Sequence, residues 1–360
     1  MIVREATLKD KLAWDSFVDD EDGGFFHYFD WKHVYEARGD QFIPLLIETA
    51  PSRIVGILPV VKERKLFYSI LRSLPEGASG GCLLERGLSD EARSEATSAL
   101  LEYLDANYSR GCSTFILHEN LTLVGKQSED PTPALVNRGF RFRFDKSTCL
   151  PCTHVLELKQ PFEENIWKKW SPNFKRALKK LVNDGIVVVQ DPELKYSEVF
   201  TNMLIENCRR HRSKPPERDE IMVRLDVFRD RSKLFVALRD GRPIVSLLCH
   251  YTPSTCYLAK SGSYEKDTDN ANRLCWKEAI EDACNTGYRS VECGITATSS
   301  LAFFKDRFKG TRVPIRIYEK SYSIPRTVIQ KAPVIVNNAW RDKRYIWNSR
   351  RRVWDRIVHM

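Results

Sequence analysis

No stretch of the chain approaches the roughly 18 consecutive apolar residues that a membrane-spanning helix needs. The opening residues, MIVREATLKDKLAWDSF, carry charges where a secretory signal would hold an apolar core. The expectation is a cytoplasmic protein. Cysteine is present but not in a metal-binding pattern. Ten cysteines are spread singly, apart from the pair Cys149 and Cys152. No second pair at ligand spacing accompanies it, so a structural zinc site and a bound metal are not expected. A redox C-x-x-C needs a helix start after a strand. Here Pro151 sits inside the pair and the strand-like THVLEL follows it. Reduced thiols in a reducing compartment fit better. The seven histidines are scattered, and no Ser/His/Asp order or Cys/His pair stands out from chance.

What is present describes a folded globular chain. It has 360 residues, 42% of them hydrophobic and 29% charged, with room for two domains of ordinary size. The net charge is +9, which suits an anionic partner without choosing among nucleic acid, a phosphorylated substrate and a membrane surface. Residues 331 to 360 hold Lys331, Lys343 and six arginines against Asp342 and Asp355. Trp340, Trp347 and Trp354 recur there at seven-residue steps and share one face of an expected helix. Such a tail suits a membrane interface, the protein's own body or a dimer contact.

Helices and strands alternate along the first half. MIVREA, FIPLLIE, RIVGILPVVKE and STFILHE read as strands. Residues 8 to 18, 30 to 37 and 90 to 108 read as helices, the last with Ser89 as N-cap and a stripe of Ala96, Leu100, Leu101 and Leu104. The second half repeats the theme. Residues 163 to 184 and 195 to 211 read as helices around the strand IVVVQ. KLFVALRDGRPIVSLLCHY reads as a hairpin turning at Asp240-Gly241. TCYLAKSGS is a third strand, and NANRLCWKEAIEDACNTG is a helix closed by Gly287. SVECG and VPIRIYEKS follow as strands. Each half therefore has a central strand pair (43–48 with 53–61, and 233–239 with 243–251), a turn, a long helix and a short strand ending near Glu119 or Glu292. Tandem copies of one α/β fold are expected, over residues 1–160 and 161–325, with a basic Trp-containing helical extension over 326–360.

Several stretches resemble the FemAB-like branch of the GNAT N-acetyltransferase superfamily. They are RIVGILPVVKERKLFYSILRSLPEGASGGCLL, WKKWSPNFKRALKKLVNDGIVVV, DGRPIVSLLCHYTPSTCYLAKSGS, NANRLCWKEAIEDACNTGYRSVECG and LAFFKDRFKG. The likeness spans roughly residues 1 to 320 and rests on pattern and order. It implies two GNAT-like domains, each a mixed sheet flanked by helices, with a cleft between them. It also implies an enzyme that moves an aminoacyl group from aminoacyl-tRNA to an amine of a cell-wall or surface-polymer precursor, with no permanently bound cofactor. The resemblance fails at two places. The coiled-coil arm of the best-known members is absent, since residues 195 to 227 supply two ordinary helices, and the basic tail is additional. Two alternatives stay open: an N-acyltransferase using acyl-CoA on a sugar or peptide amine, and a non-catalytic scaffold. Acetyltransferases of this superfamily hold the CoA pyrophosphate on a glycine-rich loop at a helix N-terminus. After TCYLAKSGS this chain has YEKDTDNANRL, without a glycine between Gly262 and the helix, which argues against acetyl-CoA.

Acyl transfer to an amine needs a neutral nucleophile, a stabilised oxyanion and a held leaving group. Lys305 in FFKDRFKG is the first catalytic candidate, because the resemblance places a functional lysine in this segment. Glu292, ending its strand, is a candidate base. Lys175, Arg176 and Lys179, with Lys180, form a basic helix face suited to phosphates of tRNA or of a lipid-linked precursor. The opposite face carries Trp167, Trp170, Phe174, Leu178 and Leu181 and reads as core. Trp31, Lys32 and Tyr35 fall where relatives bind the precursor's sugar and phosphates. Arg72 and Ser73 precede the Gly-Gly turn, and Tyr264 follows the third strand of the second half. All six are candidate substrate contacts. The expected partners are thus aminoacyl-tRNA, a phosphorylated or lipid-linked precursor, and the inner membrane face through the tail.

Overall fold

The structure, a computed structural model, describes residues 1–49, 53–65, 67–73, 80–118, 133–143, 151–264 and 269–323. The basic tail, Glu119 and Cys149 lie outside these residues. Fifteen strands among the described residues form two mixed sheets. Seven come from the first half: β1 (Ile2–Glu5), β2 (Gln41–Thr49), β3 (Arg53–Arg64), β4 (Ser69–Ser73), β5 (Leu83–Leu84), β6 (Cys112–His118) and β7 (Arg141–Arg143). The others are β8 (Cys152–Glu157), β9 (Ile186–Asp191), β10 (Ser232–Arg239), β11 (Arg242–Tyr251), β12 (Thr255–Ser263), β13 (Ser290–Glu292), β14 (Thr311–Pro314) and β15 (Ile317–Ser321). The helices are α1 (Lys11–Asp20), α2 (Trp31–Ala37), α3 (Asp90–Tyr108), α4 (Pro133–Asn137), α5 (Phe162–Asn165), α6 (Pro172–Asn183), α7 (Ser197–Arg210), α8 (Arg218–Val227), α9 (Asp269–Thr286) and α10 (Ser299–Asp306).

The strand orders are β1-β2-β3-β4-β6-β15-β7 and, read the same way, β9-β10-β11-β12-β13-β8-β14, with β5 pairing β3 outside the first path. The relative directions match at every step. In each sheet one pair is parallel, β4 with β6 and β12 with β13, while the others are antiparallel. A helix, α3 or α9, connects each parallel pair, as a parallel pair requires. The repeated order makes the two halves copies of one unit.

The sixth strand of each sheet is exchanged. β8 leaves the first half and enters the second sheet between β13 and β14, while β15 returns to the first sheet between β6 and β7. VPIRIYEKS, expected as one strand of the second half, is therefore two strands in different sheets, broken at Ile315 and Arg316. The two crossings meet. The Ile315 amide donates to the Pro151 carbonyl at 3.0 Å, and Cys152 bridges to Thr296.

Local rules explain the starts of α3 and α6. The Ser89 hydroxyl accepts from the Ala92 amide at 3.2 Å, and the apolar stripe of α3 is buried as expected. The helix expected over 163–184 divides into α5, a short turn and α6. Ser171 caps a new start there and Pro172 takes its first turn, where a missing N–H costs nothing. Asp240 and Gly241 both adopt positive φ, 51° and 73°, as the tight hairpin turn between β10 and β11 demands.

The halves share a core. Trp14, Phe25, Trp31, Tyr35 and Phe42 of the first half pack in one cluster with Phe228 and Tyr257 of the second. Phe25 stacks on His250 with centroids 4.2 Å apart. At the rim Arg231 donates to the Tyr28 hydroxyl at 2.7 Å and to Asp19 at 3.0 Å, and Arg289 donates to Asp22 at 3.0 Å.

Candidate active site

The ladder between β12 and β13 is three residues long. It joins Thr255 to Ser290, Cys256 to Val291 and Tyr257 to Glu292, and stops there. β12 runs on for six residues to Ser263, paired with β11 on one side only. Its other edge, from Leu258 onward, carries no strand among the described residues. The corresponding pair in the first sheet stays closed. Ser69 to Arg72 pair with Cys112 to Ile116, and Ser73 then continues the contact through its side chain. Its hydroxyl accepts from the His118 amide at 2.9 Å and faces the His118 carbonyl at 3.5 Å. One sheet is laced where the other opens.

Glu292 stands where the ladder ends. It is 3% exposed. Its Oε1 accepts from the Gly294 amide at 2.9 Å and from the Thr153 hydroxyl, while Oε2 has no partner among the described residues. Gly294 takes φ +71°, a left-handed conformation that glycine adopts without the Cβ penalty. That turn brings its amide back onto the carboxyl. Burial raises the Glu292 carboxyl above its ordinary pKa, and the bonds from Thr153 and Gly294 and the charge of Lys305 oppose the rise.

Lys305 approaches the same turn from α10. It is 3% exposed, and its Nζ donates to the Gly294 and Ile295 carbonyls at 2.8 and 3.0 Å. Burial lowers its pKa, and the nearby Glu292 carboxyl opposes the drop. The two catalytic candidates, thirteen positions apart in sequence, thus grip one glycine from opposite sides. Glu292 holds its N–H and Lys305 holds its C=O.

A third group braces this arrangement. His154, wholly buried on β8, faces Asp306 through Nε2 at 3.0 Å and Thr296 Oγ1 through Nδ1 at 3.3 Å. Burial lowers its pKa below the ordinary imidazole value, against the bond to Asp306. Asp306–His154–Thr296 has the connectivity of a nucleophilic triad. Two facts speak against that use. Thr296 is completely enclosed, and the Asp306 carboxylate is bound by Arg312. The group instead ties α10, β8 and the 294–296 turn together.

The remaining sequence candidates stand apart from this turn. Trp31 and Tyr35 are fully buried at the seam. Trp31 Nε1 donates to the Phe25 carbonyl at 3.1 Å, and the Arg224 guanidinium lies 4.7 Å from its ring. Tyr35 stacks on Phe42. Lys32 pairs with Glu36. Arg72 pairs with Glu63 at 2.9 Å, and Ser73 laces the first sheet. Tyr264, at the end of β12, is exposed and stands beside residues outside the described set. Lys175, Arg176 and Lys179 project from α6, whose Phe174 and Leu178 are buried as expected. With Lys168, Lys169 and Lys180 they make six cations in a stretch, 165–183, that holds no acid. None of the six enters an ion pair among the described residues. The residue before Ser171 and the turn after α10 also meet, because Trp170 Nε1 donates to the Phe308 carbonyl at 3.1 Å.

Sequence reasoning missed Thr153, His154, Gly294 and Asp306. Thr153 and Glu292 are 139 positions apart, and only the strand exchange brings them together. The glycine directly after Glu292-Cys293 was the one signal available. No group of described residues has the make-up of a metal site, and no described helix is long and apolar enough to cross a membrane.

No family model matches the chain, and no curated protein matches it in sequence. Solved structures do match. FemX is similar with a TM-score of 0.69 at 12% identity, over 92% of this chain and 100% of that one. The L-PGS structure from Bacillus licheniformis matches with a TM-score of 0.55 at 11% identity, over 91% and 97%. A tandem GNAT protein from the clavulanic acid biosynthesis pathway matches with a TM-score of 0.53 at 12% identity, over 89% and 98%. The chain therefore has the tandem GNAT-like fold that FemX also has.

Proposed function

We propose that this chain is a FemAB-like acyltransferase that moves an acyl group, in our reading an aminoacyl group from aminoacyl-tRNA, onto an amine of a cell-wall or surface-polymer precursor. One observation carries the reading. Glu292 stands at the mouth of the open strand edge with one carboxyl oxygen fixed and the other unengaged, which suits a general base. The donor's extended chain would lie along β12 beyond Tyr257 and place its carbonyl near Glu292. The acceptor nitrogen attacks the carbonyl carbon, the new C–N bond forms and the C–O bond to the leaving ribose oxygen breaks. Glu292 takes the proton that the nitrogen sheds, and the leaving oxygen is protonated in turn. Lys305 supplies positive charge beside the turn and keeps its amides in place.

The six unpaired cations on and before α6 support a polyanionic donor. Each counterion-releasing phosphate contact would make binding fall with salt. The β12 edge, open among the described residues, would also suit an acyl-CoA thioester, the alternative donor. The deciding assay offers the protein a mixed pool of charged tRNAs and, separately, acyl-CoA, with an amine acceptor. Aminoacyl transfer that Glu292→Gln lowers by about 10²- to 10⁴-fold, with binding retained, is the expected result. Transfer from acyl-CoA alone selects the other donor, and undiminished transfer by Glu292→Gln removes the carboxylate from the chemistry.

A further inference from the structure

We infer that Thr153 is a positioning residue whose hydroxyl follows the charge of Glu292 and holds its carboxyl in the reactive orientation. The catalytic consequence rests on the acyl-transfer reading above, but the coupling between the two side chains does not. Thr153 lies on β8, the strand exchanged into the second sheet, and it is wholly buried. Its Oγ1 is within hydrogen-bonding reach of two acceptors, Glu292 Oε1 and the Gly294 carbonyl, the latter at 3.1 Å. A threonine hydroxyl has one proton to donate. It therefore serves one of these acceptors at a time.

The choice depends on the carboxyl. When Glu292 is ionised, the buried carboxylate is the stronger acceptor, and a charge-assisted bond forms. When Glu292 is neutral, the hydroxyl turns toward Gly294, whose carbonyl Lys305 already serves at 2.8 Å. The rotation costs no other contact, because that carbonyl is satisfied in both states. The device thus favours the ionised, base-competent form, and it does so where burial opposes ionisation. It also fixes which oxygen works. Thr153 and the Gly294 amide both bind Oε1, so Oε2 is left for the acceptor's proton. Catalytic geometry in the second sheet then depends on a strand that the first half delivers.

The test uses the full chain and two variants. Thr153→Val keeps the shape and removes the hydroxyl, and Thr153→Ser restores it. Carboxyl-labelled glutamate is titrated by NMR, and the Glu292 signal is assigned by its absence in Glu292→Gln. Thr153→Val is expected to raise the Glu292 midpoint by about one pH unit, the scale on which one hydrogen bond to a carboxylate acts. Thr153→Ser should return it. Near-UV circular dichroism of each variant establishes that the fold is kept. In the transfer assay the acidic limb should move up by the same amount, with kcat falling more than KM changes. A Glu292 midpoint that stays at the wild-type value in folded Thr153→Val overturns the inference. If Thr153→Val is not folded, Thr153→Ala takes its place, and an unshifted midpoint there is equally fatal. Absence of any transfer by the wild type would sink the acyl-transfer reading alone, since the titration measures the coupling without turnover.

Discussion

Burial sets the working charge of Glu292, and the consequences reach stability as well as chemistry. Its folded pKa lies above the ordinary carboxyl value, so between those two values the folded state holds a proton that the unfolded chain has lost. Stability therefore falls as pH rises through that window and stays reduced above it. Gln in this place keeps an oxygen for Thr153 and Gly294 and carries no charge. Glu292→Gln should accordingly melt at a higher temperature than the wild type at pH 8, and the gain should vanish as the pH falls below 4. An unchanged difference across that range would mean that the carboxyl titrates alike in the folded and unfolded states. The activity profile has its own limits. On the proposed mechanism the rising limb should follow ionisation of Glu292, and the falling limb loss of the Lys305 proton, whose pKa burial depresses. The plateau should thus be narrower than free Glu and Lys would give, and a pH–rate series in the transfer assay measures it.

At the scale of elements, α7 and α9 pack against β12. Gly262 is the tightest point. A Cβ there would lie 2.7 Å from the Leu204 amide nitrogen and 2.8 Å from the Met203 carbonyl carbon, both backbone atoms of α7 that cannot swing aside. Gly262→Ala should push α7 off the strand and cost about 1–3 kcal/mol, the usual range for overpacking. A urea midpoint equal to that of the wild type would show that the helix yields freely. The pattern of this segment was readable, since TCYLAKSGS announced a strand, yet the need for glycine was not. That need comes from a helix about sixty residues earlier in the chain. The same holds for α6. Its buried and basic faces were legible from spacing, whereas the break before it required the local signal of Ser171-Pro172 to outweigh a continuous apolar period.

Across the whole molecule, each half lends the other a strand, and an aromatic cluster fills the seam between them. Neither sheet is complete without the other half, and Tyr318, which the end of the described chain delivers to the first core, is fully buried there. The halves should therefore unfold as one unit. Calorimetry is expected to give a single transition with matching calorimetric and van't Hoff enthalpies, and two resolved peaks would refute the coupling. By itself the sequence determined the class of structure. Two rounds of strand pair, helix and short strand follow from alternation, helical period, turn residues and caps, all of which act within a few residues. It also put Glu292 and Lys305 among the groups worth watching. The tertiary structure decided which sheet each crossing strand joins, that one parallel pair is laced by Ser73 and the other open, and that Thr153, Glu292, Gly294 and Lys305 meet. It likewise assigned Trp31 and Tyr35 to the seam. These outcomes rest on contacts between residues far apart in sequence, and hydrophobic period records only which face of an element is buried, not the element it is buried against.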